Sequence, residues 1–187
     1  DVALVIAQLG SSRTRAGLTS LLDRRLVAWD ALDRFLVRGP KDLHADDVCG
    51  RAAAELLDVL QHAPGGLQEL LKDGPAGHPR YQLFLRQVER LRSPGALTNA
   101  QIRSILDRIS LHFLTQDGSA RKGGAINPYN ASHYPGDPAA KRHRNTVFQL
   151  APQVERVIRQ FSRELNVILA RGLRRMFAIA LTQYRET

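Results

Sequence analysis

In Val154-Glu-Arg-Val-Ile-Arg-Gln-Phe-Ser-Arg-Glu-Leu165, the apolar residues fall at Val154, Val157, Ile158, Phe161 and Leu165. Spacings of three and four residues follow the α-helical turn, so one side of this stretch faces a core. The pattern reaches back to Val147 and Leu150 and onward through Ile168, Leu169, Leu173, Met176, Phe177, Leu181 and Tyr184. Proline is tolerated in a first helical turn, where its missing N–H would have no partner anyway. The spacing therefore predicts one helix from Pro152 to Arg185, about 50 Å long at about 1.5 Å per residue. Such a helix suits a spine, with Gly172 as a candidate kink.

Shorter stripes of the same period fill the chain before it. Val2, Val5, Ile6 and Leu9 read as the end of a helix closed by Gly10 and Ser11. Ser20-Leu-Leu-Asp23 resembles a capping box and predicts a helix start, with Leu21, Leu22, Leu26, Trp29, Leu32 and Leu36 along one face up to Gly39-Pro40. Val48, Ala52, Leu56 and Leu60 form the next stripe, ended by Pro64-Gly65-Gly66. A short segment over Leu67–Leu71 follows, then Leu83, Phe84, Val88 and Leu91. Thr98-Asn-Ala-Gln101 is a second capping box, opening a helix lined by Ile102, Ile105, Leu106 and Ile109. No segment keeps the two-residue alternation of a strand. The expected fold is all-α: an irregular helical bundle with a long C-terminal helix and one long basic loop, forming one domain over residues 1–187.

Composition supports this class. Of 187 residues, 43% are hydrophobic, 24% charged and only 6% aromatic, a globular balance that favours helix. The single cysteine, Cys49, excludes an internal disulfide framework and a two-cysteine zinc finger. No apolar run approaches the about 20 residues of a membrane-spanning helix, and Asp1–Gly10 lacks the basic start of a signal peptide. The default expectation is a cytoplasmic protein. The chain starts at Asp1, has its only methionine at Met176 and stops within a helical pattern. It therefore reads as a piece of something larger.

The net charge of +9 is unevenly spread. Residues 1–116 carry 15 Lys/Arg against 13 Asp/Glu, whereas residues 117–187 carry 12 against 5. A basic region points first to a polyanion, with nucleic acid the commonest, against the alternative of a surface charged only for solubility. Within that region, residues 116–149 are rich in Gly, Pro, Asn and Ser and read as a long loop. Arg121 and Lys122 open it, and Lys141, Arg142, His143 and Arg144 close it. Arg121, Lys122, Lys141, Arg142 and Arg144 are candidate phosphate contacts, and Tyr129 and Tyr134 are candidate stacking surfaces for unpaired bases. Arg156, Arg159 and Arg163 share a helix face and read as a solvated surface or a phosphate-contacting stripe.

Other chemistry is thinly supported. His44, His62, His78, His112, His133 and His143 show no metal-ligand spacing. His112 follows an apolar stripe and reads as a satisfied core or boundary histidine. His133 and His143 are the only histidines within the loop that could serve as a hydrolytic pair. Gly118-Ser-Ala-Arg-Lys-Gly123 has a lysine but not the frame of a nucleotide phosphate loop. No catalytic residue, metal site or cofactor is assigned within the chain.

Three stretches carry a family resemblance. Leu114-Thr-Gln-Asp-Gly-Ser-Ala-Arg-Lys122 resembles the Leu-Thr-x-x-Gly-x-x-Arg-Lys stretch of AddA-type double-strand-break repair helicase–nucleases. These belong, with RecB, to the UvrD/Rep-like superfamily 1 DNA helicases. Leu21-Leu-Asp-Arg-Arg-Leu-Val-Ala-Trp29 is similar to a leucine-rich helix in the same region, and Ala178-Ile-Ala-Leu-Thr-Gln-Tyr-Arg-Glu186 to a helix further on. The resemblance implies the helical accessory 1B region of the first motor domain. It further implies a parent ATP-dependent DNA helicase and exonuclease of DNA repair and recombination, using ATP and Mg, with a second subunit as partner. In that setting this chain would engage single-stranded or duplex DNA without sequence preference. Residues Gly123–Asn145 match no motif of the family. A helical protein–protein interaction module without nucleic-acid binding is the alternative.

Overall fold

A computed structural model describes residues 2–31, 40, 42–93, 95, 97–126 and 128–186; of these, the side chains of 2–4, 26, 29 and 184–186 are not described. The fold is all-α. Among the described residues, eight α-helices follow one another: α1 Val2–Leu9, α2 Ser11–Asp23, α3 Arg25–Ala31, α4 Ala45–Gln61, α5 Gly66–Lys72, α6 Pro79–Arg92, α7 Asn99–Phe113 and α8 Asp137–Glu186. Among the described residues the only strand-like feature is an isolated bridge between Leu114 and Ala120. No helix among them is long and apolar enough to cross a membrane.

Local chemistry accounts for most boundaries. Thr98 and Gln101 form the capping box read from the sequence, each side chain bonding the other's backbone amide at the start of α7. Pro79 stands at the start of α6, and the His78 ring accepts the Arg80 amide at 3.1 Å as its cap. Gly65 and Gly66, at φ of 77° and 83°, make the left-handed turn from which α5 leaves. The predicted start at Ser20 is corrected: Gly10, at φ of 77°, precedes α2, which already begins at Ser11. Ser20 lies in its last turns, and the break falls at Arg24, whose amide donates to Leu21 and Leu22. Of the face expected beyond it, the side chains of Leu26 and Trp29, and Leu32 and Leu36 entirely, lie outside the described residues.

The long helix also starts earlier than expected. Asp137 and Pro138 occupy the first turn of α8, which runs 50 residues with Pro152 in its interior. Pro138, not Pro152, takes the position where a missing N–H is harmless. Pro152 is tolerated because it lies on the exposed side, where water can serve the carbonyl it leaves without an amide. The helix continues through Gly172 without interruption. Thus 137–149, expected within the loop, are the first turns of α8.

The chain divides into two compact units. One comprises Cys49–Phe161 and has a dense core, with Leu56, Leu60, Ile105, Leu106, Ile109 and Val147 all fully enclosed. The other comprises Asp1–Val48 with Ser162–Thr187. There Ala28 and Phe177 are buried against the half-buried Leu18, Leu21 and Leu22.

Candidate functional site

Within Cys49–Phe161, polar groups converge where the last turn of α5 meets α6, α7 and the start of α8. The final carbonyls of a helix have no intrahelical partner and must find donors elsewhere. Leu70 and Leu71 find one in Tyr81 of α6, whose buried hydroxyl lies 3.1 Å from both oxygens. The Leu70 oxygen also takes His143 Nδ1 of α8 at 3.1 Å. His143 Nε2 lies 3.0 Å from Nε2 of His112, in the last turn of α7. His112 Nδ1 in turn faces the Tyr129 hydroxyl at 3.4 Å.

The tautomers follow from the end of this chain. A carbonyl only accepts, so His143 Nδ1 carries a hydrogen and, in the neutral ring, His143 Nε2 is an acceptor. His112 must then donate through Nε2–H and accept at Nδ1 from the Tyr129 hydroxyl. Each group donates once in the same direction: Tyr129 to His112, His112 to His143, His143 to Leu70. Burial pushes both histidines down. His112 lies well below the ordinary value, with His143 and Arg121 adding repulsion. His143 is pushed down to about 4, partly opposed by its bond to Leu70 and by Asp73. Burial likewise raises the Tyr129 phenol to about 12.

Aromatic rings close around the pair. Phe84 stacks on His112 with centroids 4.4 Å apart, and Tyr81 stands edge-on to His143 at 5.5 Å. Gly74 is required here, because a Cβ on it would fall 1.9 Å from the Tyr81 hydroxyl. His133 is not brought to His143. It packs edge-on against His78 at 4.8 Å, and its Nδ1 accepts the Asn130 amide. The hydrolytic pair considered from the sequence is therefore not assembled. An open cleft of about 310 Å³ lies beside His143, between Glu69 and Asp73 on one side and Arg142, Asn145 and Gln149 on the other. Both His143 nitrogens are already engaged within the protein.

The candidate phosphate contacts are dispersed. Lys122 and Lys141 are exposed. Arg121 is half-buried and donates to the Leu111 carbonyl at 3.3 Å. Arg142 makes a two-point bond to Asp73, at 2.7 and 2.8 Å, which holds that carboxyl below its usual range. Arg144 is half-buried. Tyr129 and Tyr134, the candidate stacking residues, are half-buried and join the protein's own ring cluster. Tyr129 lies 5.2 Å from His78, and Tyr134 lies 5.8 Å from His143.

The Leu114–Lys122 stretch forms a tight turn. Asp117 accepts from the Thr115 and Ser119 hydroxyls, and Gly118 turns the chain at φ of 79°. Glu155 of α8 fastens the turn by accepting the Ala120 amide at 3.1 Å and pairs with Arg159 at 2.5 Å. Along α8, Lys141, Asn145, Gln149, Pro152, Arg156 and Arg159 are all exposed and recur at helical spacing, placing them on one side. One carboxylate borders that row: Glu155, which is half-buried and pairs with Arg159.

No group of histidine, cysteine and carboxylate side chains among the described residues could hold a metal ion. No family model matches the chain, and neither a curated protein nor a solved structure is significantly similar to it.

Proposed function

We propose that this chain is a DNA-engaging accessory domain of an ATP-dependent helicase/exonuclease of the UvrD/Rep type, acting in cytoplasmic DNA repair and recombination. ATP and Mg would be bound by other segments of the parent protein, and a second subunit would complete the complex. The observation carrying this reading is the exposed row on α8. It presents Lys141 and Arg156, with Arg159 beside them paired to the half-buried Glu155. The excess is general to the unit: Cys49–Phe161 carries 15 Lys/Arg against 9 Asp/Glu.

A row of cations without exposed rings suits phosphates rather than bases. Lys122, Lys141 and Arg156 are accordingly the contacts favoured, while Arg159 is already paired with Glu155. Tyr129 and Tyr134 are set aside, because their rings are used within the protein. With about three phosphates neutralised, affinity for a mixed-sequence duplex should fall about fortyfold as salt rises from about 50 to about 200 mM. Fluorescence anisotropy with two unrelated sequences tests this. Affinity that is flat with salt, or that differs strongly between the sequences, would overturn the reading.

The alternative, a helical protein-interaction module, draws on the other unit. Ile6, Leu9, Val27 and Ile179 are 40%, 45%, 68% and 53% exposed there. Concentration-dependent association in sedimentation, together with absent DNA binding, would favour it.

A further inference from the structure

The histidine chain joins four parts of one unit: the segment carrying Tyr129, and helices α7, α8 and α5. Its donors all point one way, and each nitrogen is used. The same unit also encloses the apolar Leu56, Leu60, Ile105 and Ile109 completely.

An added proton has little room. If His143 gains a hydrogen on Nε2, His112 must accept it at Nε2 and move its own hydrogen to Nδ1. That N–H then points at the Tyr129 oxygen, and Tyr129 loses its acceptor. A second proton would set two N–H groups against each other across 3.0 Å. The charge would be enclosed as well, since His143 is 1% and His112 4% exposed. Buried charge is tolerated only when it is paired. Asp73 lies toward His143 from the end of α5 but is already engaged twice by Arg142. Arg121 faces His112 and repels a cation. The groups packed from α6 and from residues 128–134, Tyr81, Tyr129 and Tyr134, are neutral phenols raised by burial.

Among the described residues, the Tyr129–Tyr134 segment is also tied by the Gly77 amide, which donates to the His133 carbonyl at 3.1 Å, by the His78 ring against Tyr129 and His133, and by Tyr81 edge-on to Tyr129 at 6.2 Å. We propose that the His112–His143 pair is an acid-sensitive latch: neutral, it holds the Tyr129–Tyr134 segment against the α5–α8 body, and protonated, it releases that segment while the helices persist. The inference stands on packing and is independent of the DNA-binding reading.

Amide hydrogen exchange on the whole chain, corrected for intrinsic rates, together with ¹⁵N NMR of the histidine rings, tests the latch. At about pH 7 the rings should show His112 as the Nε2–H and His143 as the Nδ1–H tautomer. Below the ordinary histidine value, the unfolded or opened form binds more protons than the closed one. Opening of Tyr129–Tyr134 should therefore rise about tenfold per pH unit for each proton taken up, while α4 and α7 stay protected.

His143→Gln can still donate to Leu70 and accept from His112, and it should flatten this response. His78→Asn keeps a capping side chain for α6 and should leave the response intact. Unchanged protection of the segment down to about pH 4.5, or its loss in the same step as the helices, would overturn the latch. So would abolition of the response in His78→Asn. Should His143→Gln fail to fold, the wild-type ring titrations still decide. Opening must track His112 and His143 rather than His78 and His133.

Discussion

Residues Cys49–Phe161 enclose Tyr81, Phe113, Leu56, Ile105 and His143 almost completely, and every polar atom of Tyr81 and His143 has a partner. The unit of Asp1–Val48 with Ser162–Thr187 encloses Phe177 and Ile168 but leaves Ile6, Leu9, Val27 and Ile179 open. It also buries the Thr14 hydroxyl without a hydrogen-bond partner. Both units are helical and similarly rich in leucine and alanine. Secondary structure alone therefore does not set how well a core is made. The first unit has open features too, Leu111 at 61% exposure and the partnerless Arg103 Nη1 and Arg121 Nε, so what separates the two is the matched cluster around Tyr81 and His143.

The contrast is most exposed to one matched pair of truncations. Phe113 is fully enclosed in the first unit and Phe177 in the second. Phe113→Ala should cost about 3–5 kcal/mol, because its cavity is ringed by packed neighbours that cannot collapse. Phe177→Ala should cost clearly less, since Leu18, Leu21 and Leu22 packed against it are only half-buried and can relax. Urea unfolding with amide exchange would read both losses by unit. Equal losses would break the distinction.

The next effect isolates hydrogen bonding from packing. Tyr81→Phe keeps the ring but removes the donor that serves Leu70 and Leu71. A buried carbonyl left short of a donor costs about 1–3 kcal/mol. The Leu70 oxygen keeps His143, so the loss should fall in the lower part of that range. Wild-type stability in Tyr81→Phe would mean that water already serves the last turn of α5.

These particular residues also show what a sequence can carry. The α4 stripe of Val48, Ala52, Leu56 and Leu60 is buried throughout, and the Thr98–Gln101 box caps α7, because period and capping are local properties. The start of α8 is not legible locally, because Gly, Pro and Asn upstream read as a loop and Pro152 reads as a first-turn residue. Extending the α8 stripe backwards from Val147 by four and three residues reaches His143 and Ala140, both buried. That spacing was the one available signal that His143 faces inward. Its partners were not legible: His112 lies 31 residues away, Leu70 73 residues away, and Asp73 reaches Arg142 across 69. Nothing local couples residues at such separations, and the inward turn of Tyr129 and Tyr134 depends on the same contacts. A basic composition was visible, but which cations stay exposed was not.

The smallest expected effect has the opposite sign and tests the weaker unit directly. Thr14, in α2, is 5% exposed, and its hydroxyl has no partner. Valine has nearly the same shape and β-branching, so Thr14→Val removes an unmatched polar atom without opening a cavity. Burying a hydroxyl unpaired costs about 1–3 kcal/mol, and part of that should be recovered as a gain of about 1 kcal/mol in stability. The same logic applied to Tyr81 gives a loss, because there the hydroxyl is matched. A stabilised Thr14→Val beside a destabilised Tyr81→Phe would show that these two buried hydroxyls differ in polar satisfaction and not merely in burial. If Thr14→Val is destabilised instead, the hydroxyl has a partner in solution, and the unit built from the two chain ends is better closed than its exposed Val27 and Ile179 imply.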